Sequence, residues 1–92
     1  MVENVQKKRF TRKNRERVQS GPGVYSLYAK NAKKPTYIGS SNNLKKRISE
    51  HEGQKFHSFK VEHTDSTREA RALEKKLIKR KNPRRNKVYA YA

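Results

Sequence analysis

At 92 residues, 30% of them hydrophobic and none Trp, the chain has material for one thin core and not for two domains. Its 25 Lys and Arg against 8 Asp and Glu leave a net charge of +17, the balance of a protein that meets a polyanion such as DNA, RNA or an anionic membrane surface. The absence of Cys removes disulfides, thiolate metal sites and the zinc-finger reading of a small basic protein. No apolar run approaches the roughly 20 residues that cross a bilayer, and MVENVQKKRF lacks the apolar segment of a secretory signal. The expectation is a soluble, intracellular, cytoplasmic protein.

Residues 1–20 carry seven Lys or Arg and two Glu with sparse apolar positions, and end at Ser20-Gly21-Pro22-Gly23. They read as a basic N-terminal arm, helical in part, ahead of a domain spanning 21–92. A solvated tail and a nucleic-acid arm both fit that composition. From Val24 to Ala29 and again from Thr36 to Gly39, β-branched and aromatic residues flank a polar loop, the pattern of a hairpin. A turn centred near Asn31 sets Tyr25 directly opposite Tyr37, so two phenols share one face of the sheet. The neighbouring glycines suggest places where backbone and substrate come close.

Ser40 to Asn43 offer N-cap candidates for a short helix from Leu44 that Gly53 ends. Leu44 and Ile48 form its apolar contact, and Arg47 and His51, also four apart, form a second stripe beside it. Phe56 to His63 reads as a third strand, with Phe59 and Val61 on one face. Ser66-Thr67-Arg68-Glu69 has the spacing of a capping box and opens a second helix, which Asn82-Pro83 should end. Lys79 to Lys87 adds six positive charges and no acid.

On that second helix the core-facing positions are 70, 73, 74, 77 and 78, and position 74 is Glu. Either its stem packs while its head reaches water or a Lys, or the carboxylate is held at the sheet edge to bind a metal. Its company favours chemistry. Hydrolysis of a phosphodiester needs a proton acceptor for water, a cation for the charge on phosphorus and help for the leaving oxygen. A tyrosine or histidine, an arginine and a carboxylate-bound Mg²⁺ fill those roles. The few acids in the chain argue against a carboxylate cluster holding two metals.

Five elements in order make the sequence resemble the GIY-YIG nuclease family. They are GVY at Gly23 to Tyr25, YIG at Tyr37 to Gly39, Asn43 to Arg47 with His51, EARALEKKLI with Glu74, and Pro83 followed by Asn86. The match covers Gly21 to about Lys87. The resemblance implies an α+β fold, a three-stranded antiparallel sheet flanked by helices, and cleavage of duplex or branched DNA with one Mg²⁺ or Mn²⁺ per site. It casts Tyr25 and Tyr37 as the paired active-site tyrosines, Arg47 as the phosphate-binding arginine, Glu74 as the sole protein ligand of the metal and Asn86 as a polar residue closing the site.

His51 matches a position that is His or Tyr among family members, and it is a candidate for proton transfer. Either tyrosine or His51 could serve as general base; a phenol near pKa 10 is a poor one at neutral pH unless its pKa is lowered, whereas an unperturbed imidazole titrates near 6.5. Two departures stand out. Ser40 and Ser41 follow the second tripeptide where some repair members have a lysine, and Val24 replaces Ile in the first.

Lys45, Lys46, Lys79, Arg80, Arg84 and Arg85 are the candidate DNA-backbone contacts. Tyr28, Tyr89 and Tyr91 suit packing or base stacking, and His57 and His63 suit surface roles. The favoured reading is structure-selective or weakly sequence-specific nicking in repair or recombination, with a protein partner as one source of specificity. The alternative is a non-catalytic nucleic-acid-binding protein in which the two tyrosines only pack.

Overall fold

GVYSLY is apolar or aromatic at nearly every position, which suits a strand covered on both faces. It forms the interior strand β2 (Gly23–Tyr28), and all its residues except Ser26 are buried. The computed structural model describes residues 7–51, 54 and 56–81. In chain order the elements are β1 (Lys8–Arg9), α1 (Arg12–Glu16), β2, β3 (Tyr37–Ser41), α2 (Leu44–Glu50), β4 (Ser58–His63) and α3 (Thr67–Lys81). The expected end of the first helix at Gly53, and Pro83, Tyr89 and Tyr91, lie outside the described residues.

The architecture is α+β with an antiparallel sheet, as expected, but the sheet has four strands rather than three, in the order β1-β4-β2-β3. The extra strand follows from Phe10. Its ring packs edge-on against Phe56 and Phe59, and its N–H donates to the His57 carbonyl at 2.8 Å. Lys8 and Arg9 are thereby laid along β4, opposite Phe59 and Ser58. Val18 is buried in the same cluster. Lys8, Arg9, Arg12, Lys13 and Arg17 stay exposed, while Arg15 is buried with its guanidinium 4.7 Å from the Phe10 ring centre.

Side-chain alternation divides the core into two layers. On one face Tyr25, Leu27 and Phe59 pack with Leu44 and Ile48 of α2 and with Val18. On the other, Val24 and Ile38 pack with Ala70, Leu73, Leu77 and Ile78 of α3. Helix α2 is capped by Asn43, whose side chain accepts from the Lys46 N–H at 3.3 Å. The Ser66 hydroxyl accepts from the Glu69 N–H at 3.1 Å, giving one of the two bonds of a capping box, and α3 runs to Lys81. The Gly21-Pro22 segment ties the site together, because its carbonyls accept from the N–H of Leu44 and of Thr64. No helix among the described residues is long and apolar enough to cross a membrane.

Candidate active site

The hairpin register differs from the expected one. Tyr25 lies opposite Gly39, and Tyr37 lies opposite Leu27. The turn centres one residue later than Asn31, and each residue of turn shift moves the pairing by two. Alternation survives that slip, so both phenols still share a face, now as a diagonal pair with ring centres 6.1 Å apart.

The glycines answer to close approach within the protein itself. A Cβ on Gly39 would come within 2.5 Å of Tyr25 Cζ, so the bare backbone of β3 is the floor on which the Tyr25 ring lies. A Cβ on Gly23 would meet Leu44 Cδ1 at 2.6 Å and collide with the Glu62 carbonyl. Both glycines make room for the protein's own groups, and Gly39 is what lets Tyr25 lean across the edge strand.

Four of the sequence-predicted residues converge there. Arg47 Nε donates to the Tyr25 hydroxyl at 3.2 Å, and the same hydroxyl lies 3.0 Å from His51 Nε2. His51 Nδ1 lies 3.2 Å from Gln54 Oε1. Because the amide oxygen only accepts, Nδ1 carries the imidazole proton and Nε2 accepts from Tyr25. The Tyr25 hydroxyl, already taking the Arg47 N–H, is also hydrogen-bonded to the Tyr37 hydroxyl. One hydrogen-bonded line thus links Tyr37, Tyr25, His51 and Gln54. The His51 ring is buried between the two tyrosines and Phe56.

Tyr25 is only 1% exposed, and its phenol is held far above the ordinary range. Burial is the main cause and charge repulsion from Tyr37 the next, with Arg47 opposing them. It therefore stays protonated. Arg47 is pushed upward, chiefly by its hydrogen bond to Glu50 and then by Tyr25, and is a permanent cation. Its pair with Glu50, 2.9 Å from Nη1, is half-exposed and hence weak enough for a phosphate to replace.

Glu74 comes from the other layer. It is half-buried on α3 and accepts from the Ser40 hydroxyl of edge strand β3 at 2.7 Å. Among the described residues no three His, Cys, Asp or Glu gather around a point. One carboxylate with a hydroxyl beside it does not make a zinc or calcium cage. It does fit a magnesium-like ion, which keeps several waters and takes its remaining ligands from a substrate phosphate.

Lys45 and Lys46 on α2, and Lys79 and Arg80 near the end of α3, are exposed. Arg84, Arg85 and Asn86 lie outside the described residues. Three partners were not foreseen in the sequence. Glu50 and Gln54 follow Arg47 and His51 by three positions, a helical-turn interval that could have flagged them. Ser40 is 34 residues from Glu74, and no local spacing announces their contact.

Comparison with known proteins bears on the family and the fold. Residues 21–88 match the sequence model of the GIY-YIG catalytic domain. The UvrABC system protein C of Bartonella quintana (strain Toulouse) is 38% identical over 79 residues, an alignment that takes in 71% of this chain and 11% of that protein. The chain thus spans about a tenth of that relative's length. Among solved structures, the GIY-YIG N-terminal endonuclease domain of UvrC from Thermotoga maritima, bound to its catalytic magnesium, superposes with a TM-score of 0.70 at 28% identity, covering 79% of this chain and 91% of that one. A point mutant of the same domain, also bound to its catalytic divalent cation, gives a TM-score of 0.69 at 29% identity over 79% and 90% of the two chains.

Proposed function

The chain belongs to the GIY-YIG family and is a nuclease domain of it, and from that premise we propose a divalent-metal-dependent DNA endonuclease that nicks with structural selectivity or weak sequence preference in repair or recombination. The observation that carries the reading is the convergence of Arg47 Nε and His51 Nε2 on one buried phenol. A role in packing alone would not require a cation, an imidazole and a second phenol on the same oxygen.

Arg47 exchanges Glu50 for a non-bridging oxygen of the scissile phosphate and neutralises the charge that builds there. Tyr37, half-buried where Tyr25 is sealed, is the phenol that meets the attacking water. As that water bonds to phosphorus and the bond to the leaving sugar oxygen breaks, its proton passes to Tyr37. The Tyr37 proton moves to Tyr25, and the Tyr25 proton moves to His51 Nε2. No phenolate forms, in keeping with the raised pKa of Tyr25, and the proton rests on an imidazolium whose Nδ1–H is fixed by Gln54. Glu74 would hold one Mg²⁺ or Mn²⁺, which would supply Lewis-acid stabilisation at the phosphate and the leaving oxygen.

Around this centre Lys45, Lys46, Lys79, Arg80, Arg84 and Arg85 hold the duplex backbone, with Asn86 closing the site. Within the basic segment 1–20, whose β1 pairs with β4, the exposed Lys8, Arg9, Arg12, Lys13 and Arg17 extend the phosphate contact of the 21–92 domain, and a protein partner adds specificity. Such binding is largely electrostatic and falls steeply with salt. The setting is intracellular, on DNA.

The test is conversion of supercoiled plasmid to nicked form by the intact chain and by Glu74→Ala, with Mg²⁺ and with EDTA, beside DNA binding at matched salt. Cleavage by the intact chain alone, and only with metal, is expected. Glu74→Ala should retain DNA affinity. Cleavage by Glu74→Ala would remove the one-metal assignment, and binding without cleavage by either chain would favour the non-catalytic alternative.

A further inference from the structure

Resting on that metal assignment, we propose that Ser40 is a positioning residue: its hydroxyl holds the Glu74 carboxylate in the orientation that receives the divalent cation. A glutamate on an open helix face rotates about three bonds, and fixing such a side chain costs it rotamer freedom. A site with several carboxylates spreads that cost. Here no cluster of three or more acidic, imidazole or thiol side chains forms among the described residues, so the metal would have to order a lightly supported ligand by itself.

Ser40 removes much of that disorder beforehand. It sits in the β3 ladder, opposite Val24, so its Cα is set by the sheet and not by a loop. Its Oγ lies 2.7 Å from Glu74 Oε1, the length of a charge-assisted O–H···O bond, in a half-buried setting where water competes poorly. The bond ties α3 to the edge strand within the layer that carries Glu74. It occupies one lone pair of Oε1 and leaves Oε2 for a cation, and because the donor is neutral it adds no positive charge beside a divalent ion.

A hydroxyl that merely tied α3 to β3 would affect stability and leave metal affinity alone. The two roles therefore separate in a direct binding measurement. Mn²⁺ binding to the DNA-free protein, followed by loss of the free-ion electron paramagnetic resonance signal, is compared for the intact chain, Ser40→Ala, Ser40→Thr and Glu74→Gln, with melting curves for each. Loss of a partner that orients a metal ligand costs about 10- to 100-fold in affinity, so Ser40→Ala should fall in that range while Ser40→Thr, which keeps the hydroxyl, stays near the intact chain.

In plasmid nicking, Ser40→Ala should need correspondingly more Mg²⁺ for half-maximal rate and recover most of the rate at saturation. If Glu74→Gln loses Mn²⁺ while Ser40→Ala binds it as the intact chain does, the positioning role is overturned and the metal assignment stands. If Glu74→Gln leaves Mn²⁺ binding unchanged, the metal assignment fails and the role of Ser40 fails with it.

Discussion

The two layers packed on the sheet contribute unequally to the site. On the α2 side, Arg47, His51 and Tyr37 are locked around a phenol that is almost completely buried. On the α3 side, a largely apolar helix face supplies a single half-buried carboxylate, restrained by a serine hydroxyl at the sheet edge. The α2 layer is a closed network that holds protons and a cation in fixed places. The α3 layer presents one group to whatever binds at the edge. Proton transfer tolerates little positional error, whereas a hydrated cation adapts its own shell, and the division of labour follows that difference.

Replacing Arg47 on the α2 side is the sharpest way to break this contrast. Arg47→Ala should lower single-turnover cleavage by about 10²- to 10³-fold through loss of charge stabilisation, and should also weaken DNA binding modestly. Glu74→Ala should lose cleavage without loss of binding. Equal effects of both substitutions on binding would mean that the layers are not specialised as described.

A smaller effect tests the packing beneath the network. Gly39→Ala places a methyl group against the Tyr25 ring and should destabilise the fold by about 1–3 kcal/mol in denaturant titration. The larger consequence should be displacement of the Tyr25 hydroxyl from Arg47 and His51. Full activity and stability in that variant would show that the ring has other room.

The mildest perturbation is alkaline pH. The folded pKa of Tyr25 is raised above its ordinary value of 10.0, so the folded chain retains a proton that the unfolded chain releases. That contribution is complete below about pH 10. Above it, stability falls by at most about 1.4 kcal/mol per pH unit. Tyr28, on the α3 face and also raised by burial, adds a loss of the same sign. Denaturation midpoints measured across that range should decline, and Tyr25→Phe should flatten the decline. An unchanged slope in Tyr25→Phe would assign the alkaline loss to other groups.

Much of this site was legible before any coordinates. The i, i+4 spacing of Arg47 and His51 put both on one stripe of α2, and the apolar positions Ala70, Leu73, Leu77 and Ile78 correctly defined the packed face of α3 with Glu74 on its margin. The turn moved by one residue and the pairing by two, which keeps Tyr25 and Tyr37 on one face, so the error in register left the candidate site intact. Misread were the count of strands and the register of the hairpin. A two-residue strand such as Lys8–Arg9 has no periodicity of its own and exists because Phe10 anchors it to β4.

What the sequence by itself determined is the set of local relations: which residues recur on one face of a strand or helix, since the periods of 2 and 3.6 are properties of the backbone. The tertiary structure alone decided the contacts between elements. It laid the Tyr25 ring over Gly39, joined Ser40 to Glu74 and drew Phe10 against β4. Those contacts depend on how the layers pack in three dimensions, where residues dozens of positions apart meet with no interval in the chain to announce them.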